Sequence, residues 1–120
     1  MGIDRERLLD TVRGLALPDG QYAVFGSGPL VVRDLREGND IDLLVTTELY
    51  ERLRADGWSV HRKEDGGETL HRGDVEAMRT LELPGYRRDV PTLIASAEHI
   101  AGIPFVSLAE LSHFKSAANR

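Results

Sequence analysis

Leu8, Leu9, Val12 and Leu15 recur at helical spacing, which predicts a helix over residues 3–17 with Asp4 able to cap its start. Pro18-Asp19-Gly20 stops it. Residues 21–25 form a short β-prone run that ends abruptly at Gly26-Ser27-Gly28-Pro29. Residues 30–36 then read as a short helix with Pro29 in its first turn, broken at Glu37-Gly38-Asn39. From Asp40 to Val45 the chain alternates acid and apolar and then turns fully apolar, the pattern of a strand polar at its start and buried towards its end. Thr46-Thr47-Glu48 opens a helix running to Asp56, and Gly57 ends it.

Residues 58–62 and 69–78 read as two strands, with Asp65-Gly66-Gly67 between them predicting a hairpin. Pro84-Gly85 marks a turn, residues 91–99 a helix, and residues 103–106 a short extended piece. Ser107 and Glu110 have capping-box spacing and open a last helix. Trp58, Tyr22, Phe25 and Phe105 are expected to fill the core. This order of elements predicts an α/β (α+β) fold, a mixed sheet of about four to five strands with helices packed on it. The 120 residues contain no repeat or linker and are taken as a single domain, residues 1–120.

Composition narrows the partners. The net charge is −5, and the Arg and Lys residues are scattered among acids, so no basic field offers itself to duplex nucleic acid. A nucleotide or other small molecule suits the chain better. No apolar run is long enough to span a bilayer, so no membrane partner is expected. Met1-Gly2-Ile3-Asp4-Arg5 lacks the pattern of a secretory signal, and cysteine is absent; both lead us to expect a cytoplasmic location.

Three pieces of the chain suggest chemistry. Gly26-Ser27-Gly28 lies where a strand enters a helix, a geometry that exposes backbone N–H groups to a phosphate, although such a turn alone reads first as a plain structural one. Asp40 and Asp42 fall on one face of a predicted strand. Two carboxylates so placed repel each other unless a cation sits between them, and Mg²⁺ prefers oxygen ligands together with substrate phosphates. The other reading of Asp40 and Asp42 is a pair of solvent-facing acids. Third, Arg72, Asp74, Glu76 and Met78 share one face of the strand over 69–78, with His71 on the opposite face. Glu76 is the first choice for a third carboxylate and Asp74 the second. His61, His71, His99 and His113 show no metal-ligand spacing and are expected at the surface or partly packed.

Taken together, Phe25-Gly26-Ser27, a spacer of twelve residues, Asp40-Ile41-Asp42-Leu43 and the later Val75-Glu76-Ala77 resemble the DNA polymerase β-like nucleotidyltransferase superfamily, in its minimal branch. Arg36 resembles an arginine that some branches carry before the acidic pair, and Phe114-Lys115 with Arg120 is similar to the family's closing helix with its basic end. The resemblance spans residues 21–120. Many relatives continue from Gly-Ser into a small residue and Ala-Arg-Gly, where this chain has Gly28-Pro29-Leu30, and relatives often extend beyond the position of Arg120.

The resemblance implies a nucleotidyltransferase-like fold and a Mg²⁺-dependent transfer of a nucleoside monophosphate from a nucleoside triphosphate (NTP) to an acceptor hydroxyl on a small molecule, protein or RNA. Gly26, Ser27, Gly28 and Arg36 would hold the triphosphate. Asp40, Asp42 and Glu76 would be catalytic, and the same acids, with Asp74, would hold two metal ions about 3.5–4 Å apart. A helical partner protein or a second copy of the chain would complete the site. The alternatives are a catalytically silent module of the same fold that binds nucleotide or a partner protein, and an interaction module in which these acids are incidental. Asp40, Asp42 and Glu76 on different surfaces would favour the last.

Overall fold

A computed structural model describes residues 2–62, 64, 67–80 and 89–118, the side chains of Lys115, Ala117 and Ala118 excepted. Asp65 and Gly66 of the predicted hairpin turn, the Pro84-Gly85 turn and Arg120 lie outside the described residues. Among the described residues, five helices and seven strands follow one another along the chain: α1 (Arg5–Leu15), β1 (Tyr22–Phe25), α2 (Gly28–Val31), β2 (Ile41–Val45), α3 (Thr47–Ala55), β3 (Ser59–Arg62), β4 (Glu68–Arg72), β5 (Val75–Met78), α4 (Val90–Ala95), β6 (Glu98–Ile100), β7 (Ile103–Phe105) and α5 (Leu108–Ala118). The strands form one mixed sheet in the order β3-β4-β5-β2-β1-β7-β6. Pairs β2–β5 and β1–β7 are parallel and the other neighbours antiparallel.

The sheet therefore has seven strands where about four to five were expected. One extra strand comes from residues 91–99, read as a single helix. The helix stops at Ala95, and Glu98–Ile100 pairs with Ile103–Phe105 instead. That edge strand is mostly exposed and polar, so no apolar alternation announces it. The other comes from residues 69–78, read as one strand. Gly73, at φ +58°, and Asp74 turn the chain back, so Arg72 pairs with Val75 and His71 with Glu76. Glycine in the first central place of a two-residue loop is a known hairpin turn.

Apolar residues explain the layering. Val24, Leu43, Val45, Leu70 and Ala77 bury one face of the sheet against Leu8, Leu9 and Val12 of α1 and Leu49, Tyr50 and Leu53 of α3. Ala23, Phe25 and Leu44 bury the other face against Val90, Leu93 and Ile94 of α4 and Leu111 of α5. Trp58, Tyr22, Phe25 and Phe105 are all buried, as expected. Asp4 caps α1 by accepting from the Arg7 N–H at 2.9 Å. Ile3 lies outside that helix and exchanges two backbone hydrogen bonds with Gly38, which anchors the loop leading to Asp40. Pro29 sits in the first turn of α2 as expected, but the helix closes early because Asp34 takes a left-handed conformation, φ 59°, which Asp tolerates better than most residues. Leu35 beyond it is 65% exposed.

Tyr50 ties α3 to β4. Its hydroxyl donates to Glu68 Oε2 at 2.6 Å, and the Arg79 guanidinium lies 4.4 Å from its ring centre. Burial, then the bond to Glu68, pushes the Tyr50 phenol up from 10.0 to about 12. A folded-state pKa above the unfolded value means that this stabilisation is complete below pH 10 and is lost as pH rises through about 12. Denaturant midpoints measured across that window should fall with pH, and the Tyr50→Phe variant should show a shallower fall. Equal slopes in the two proteins would disprove the assignment.

Candidate functional site

Strand β2 is central in the sheet, and four of its five residues are buried; Asp42 is the half-exposed one. Alternation accounts for this. Ile41, Leu43 and Val45 face the α1/α3 layer, and Leu44 faces α4. Asp42 shares the face of Leu44 but lies nearer the strand's beginning. In the same register row it has Phe25 of β1 on one side and Glu76 of β5 on the other. Adjacent strands run about 4.7–4.9 Å apart, so the two acids are direct neighbours on one face.

Gly26 closes the site from the β1 side. It has φ +66°, and a β-carbon at this position would collide with the Asp42 carboxylate. Glycine is therefore required here both for the backbone turn and for the close approach of Asp42. Ser27 follows as the N-cap of α2, without a side-chain capping bond. Its hydroxyl lies against Gly38, where an added β-carbon would come within 2.7 Å of Ser27 Oγ. Gly28 is buried against Val24. Asp40 is exposed in the bend just before β2, outside the strand proper.

The other candidate residues, and the neighbouring Arg33, make contacts of their own. Asp74 lies in the β4–β5 turn and forms an ion pair with Arg7 of α1 at 2.5 Å, while its carbonyl accepts from the Ile41 N–H at 2.8 Å. Arg36 donates to the Glu37 carbonyl at 3.0 Å. Arg33 donates to the Pro29 carbonyl and pairs with Glu98. His99 pairs with Asp19 at 3.0 Å.

His71 corrects an expectation. A continuous strand over 69–78 would point it away from Glu76, but the Gly73-Asp74 turn reverses the chain and sets the two side by side. His71 Nε2 is 2.9 Å from Glu76 Oε2. Thr69 Oγ1 lies 3.0 Å from the same nitrogen. The His61 ring stacks on that of His71, with centroids 4.0 Å apart and planes inclined at 29°. A polar row thus crosses the sheet from Asp42 through Glu76 to His71. On its other side Phe25 meets Phe114 of α5 edge to face, with centroids 4.9 Å apart. The Gly-Asp dipeptide was one signal available in the sequence for His71.

The donors at Asp42 and Glu76 are hard carboxylate oxygens from adjacent strands, beside a glycine whose missing β-carbon lets the Asp42 carboxylate approach the turn. They fit a Mg²⁺ ion that arrives with phosphate oxygens, since this ion keeps few protein ligands and fills its octahedron from water and substrate. Among the described residues, no three His, Cys, Asp or Glu side chains converge as a ready-made metal cage. Nor, among them, is any helix long and apolar enough to cross a membrane. No protein-family model, no curated protein and no solved structure matches the chain.

Proposed function

We propose that this chain is a nucleotidyltransferase-like domain that binds a Mg²⁺–nucleoside triphosphate complex and transfers the nucleoside monophosphate to an acceptor hydroxyl on a small molecule, protein or RNA. One observation carries the reading: the Asp42 carboxylate lies against the Gly26 turn and beside Glu76. The motifs whose order and spacing suggested the family are thus neighbours in space at one end of the sheet. That arrangement speaks against the reading in which the acids are incidental.

In this reading Asp42 and Glu76 bind the metal, with Asp40 joining from the exposed bend. The Gly26-Ser27-Gly28 backbone holds phosphate oxygens. When bound, Mg²⁺ supplies the positive charge that offsets the triphosphate and the charge developing on its reacting oxygens. The acceptor oxygen bonds to the α-phosphorus, the bond from that phosphorus to the bridging oxygen breaks, and pyrophosphate leaves. Glu76 helps to take the hydroxyl proton. Positioning and charge do most of this chemistry. The acceptor, and a helical partner protein or second copy that completes its site, belong to the same proposal.

The arginines favour a second reading, nucleotide binding without transfer. Arg33 and Arg36 hydrogen-bond to nearby backbone carbonyls, and Arg33 also pairs with Glu98. So engaged, neither offsets the charge that develops on a departing pyrophosphate, and the nucleotide is held without transfer. Equilibrium binding of each of the four NTPs at millimolar concentration, with and without Mg²⁺, followed by label transfer to candidate acceptors, separates the two. Mg²⁺-dependent binding with transfer supports the enzyme. Binding indifferent to Mg²⁺ and to Asp40→Asn supports the silent module. Failure to bind any NTP would sink both.

A further inference from the structure

We propose that His71 is the positioning residue of the site: it holds the Glu76 carboxylate in the orientation that metal binding requires. This rests on the reading above and adds to it a role for a histidine that the motifs did not include.

Glu76 stands between Asp42 on β2 and His71 on β4. A glutamate has three side-chain torsions, so an unsupported carboxylate beside Asp42 would swing away from a like charge at little cost. His71 prevents this. A carboxylate oxygen accepts, so Nε2–H is the donor, and the bond engages Oε2 at 2.9 Å. The second oxygen, Oε1, is then the metal ligand. The imidazole is itself fixed, because His61 stacks on its face and Thr69 Oγ1 shares the Nε2 hydrogen. Both supports come from the β3–β4 hairpin, whose register places His61 opposite Thr69, while the β4–β5 register places His71 opposite Glu76. Hydrogen bonds of this kind, made to a ligating carboxylate from outside the metal's own shell, typically contribute about 10–100-fold to metal affinity or activity.

The test compares two amides that differ in reach. Glutamine can place its Nε2–H close to the position of the imidazole Nε2, whereas asparagine stops one methylene short. Mn²⁺ alone is titrated into wild type, His71→Gln, His71→Asn and Glu76→Gln, with free Mn²⁺ read by electron paramagnetic resonance and folding checked by circular dichroism. We expect His71→Asn to weaken Mn²⁺ binding about 10–100-fold, to the level of Glu76→Gln, and His71→Gln to stay within a few-fold of wild type. The double variant that combines His71→Asn with Glu76→Gln should lose no more than either single one, as residues acting in one unit do. If Glu76→Gln weakens Mn²⁺ while His71→Asn does not, or if both amides at residue 71 weaken it equally, the role of His71 is overturned and the site reading survives. If wild type binds no Mn²⁺, or if Glu76→Gln binds it as wild type does, the site reading itself falls and the proposal with it.

Discussion

Asp42→Asn should abolish measurable Mg²⁺-dependent binding of nucleoside triphosphate while leaving the fold intact. Asparagine has nearly the volume of aspartate, so the contact with Gly26 and the packing beside Phe25 are retained. What changes is charge. A neutral amide replaces the carboxylate placed nearest both the glycine turn and Glu76. Loss of one ligating carboxylate removes several kcal/mol of charge stabilisation, which corresponds to about 10²–10³-fold in turnover or more. Asp40→Asn changes an exposed residue outside β2 and should cost less. Titration calorimetry with a non-hydrolysable NTP and Mg²⁺ measures both. Asp42→Asn binding as tightly as wild type would remove Asp42 from the site.

The site could be assembled from the sequence as far as its parts are local. A strand that runs into Gly26-Ser27, and a second that starts on Asp-Ile-Asp and then turns wholly apolar, follow from side-chain alternation and glycine placement. The helix caps at Asp4, Thr46 and Ser107 are likewise local, since each side chain accepts from a backbone N–H three residues on. Across strands, one dipeptide decides the outcome. Read as one strand, residues 69–78 conceal a reversal that two signals betray: the Gly73-Asp74 dipeptide, and the apolar positions, which shift phase from Leu70 to Val75 and Ala77 across it. That reversal creates a strand boundary, moves Asp74 from a strand face into a turn held by Arg7, and brings His71 to Glu76. The extent of α2 was missed for a related reason. Asp34 stops it by a left-handed backbone conformation that no hydrophobic period encodes. Strand β6 escaped because an exposed edge needs no apolar alternation to be stable when β7 supplies its hydrogen bonds.

Gly26→Ala tests whether the turn and the acid form one unit. Two costs are expected, and a control separates them. Residue 26 sits at φ +66°, where an L side chain meets its own carbonyl; this strain is about 1–2 kcal/mol. Gly57, at φ +95° with open space around its missing β-carbon, carries the first cost alone. Gly57→Ala should therefore lower the unfolding midpoint by a few degrees and leave nucleotide binding unchanged. At residue 26 the added methyl also runs into the Asp42 carboxylate, which has Phe25 on one side and Glu76 on the other. Either the turn opens or Asp42 moves, and a displacement of about 1 Å in a positioned group can cost about 10²-fold. Gly26→Ala should thus unfold at a lower temperature than Gly57→Ala and lose Mg²⁺–NTP affinity about 100-fold. Combining it with Asp42→Asn should add little further loss of affinity, because both changes disable the same group. Equal destabilisation in the two alanine variants, with binding intact in both, would leave Gly26 as a turn residue alone and detach it from the proposed metal site.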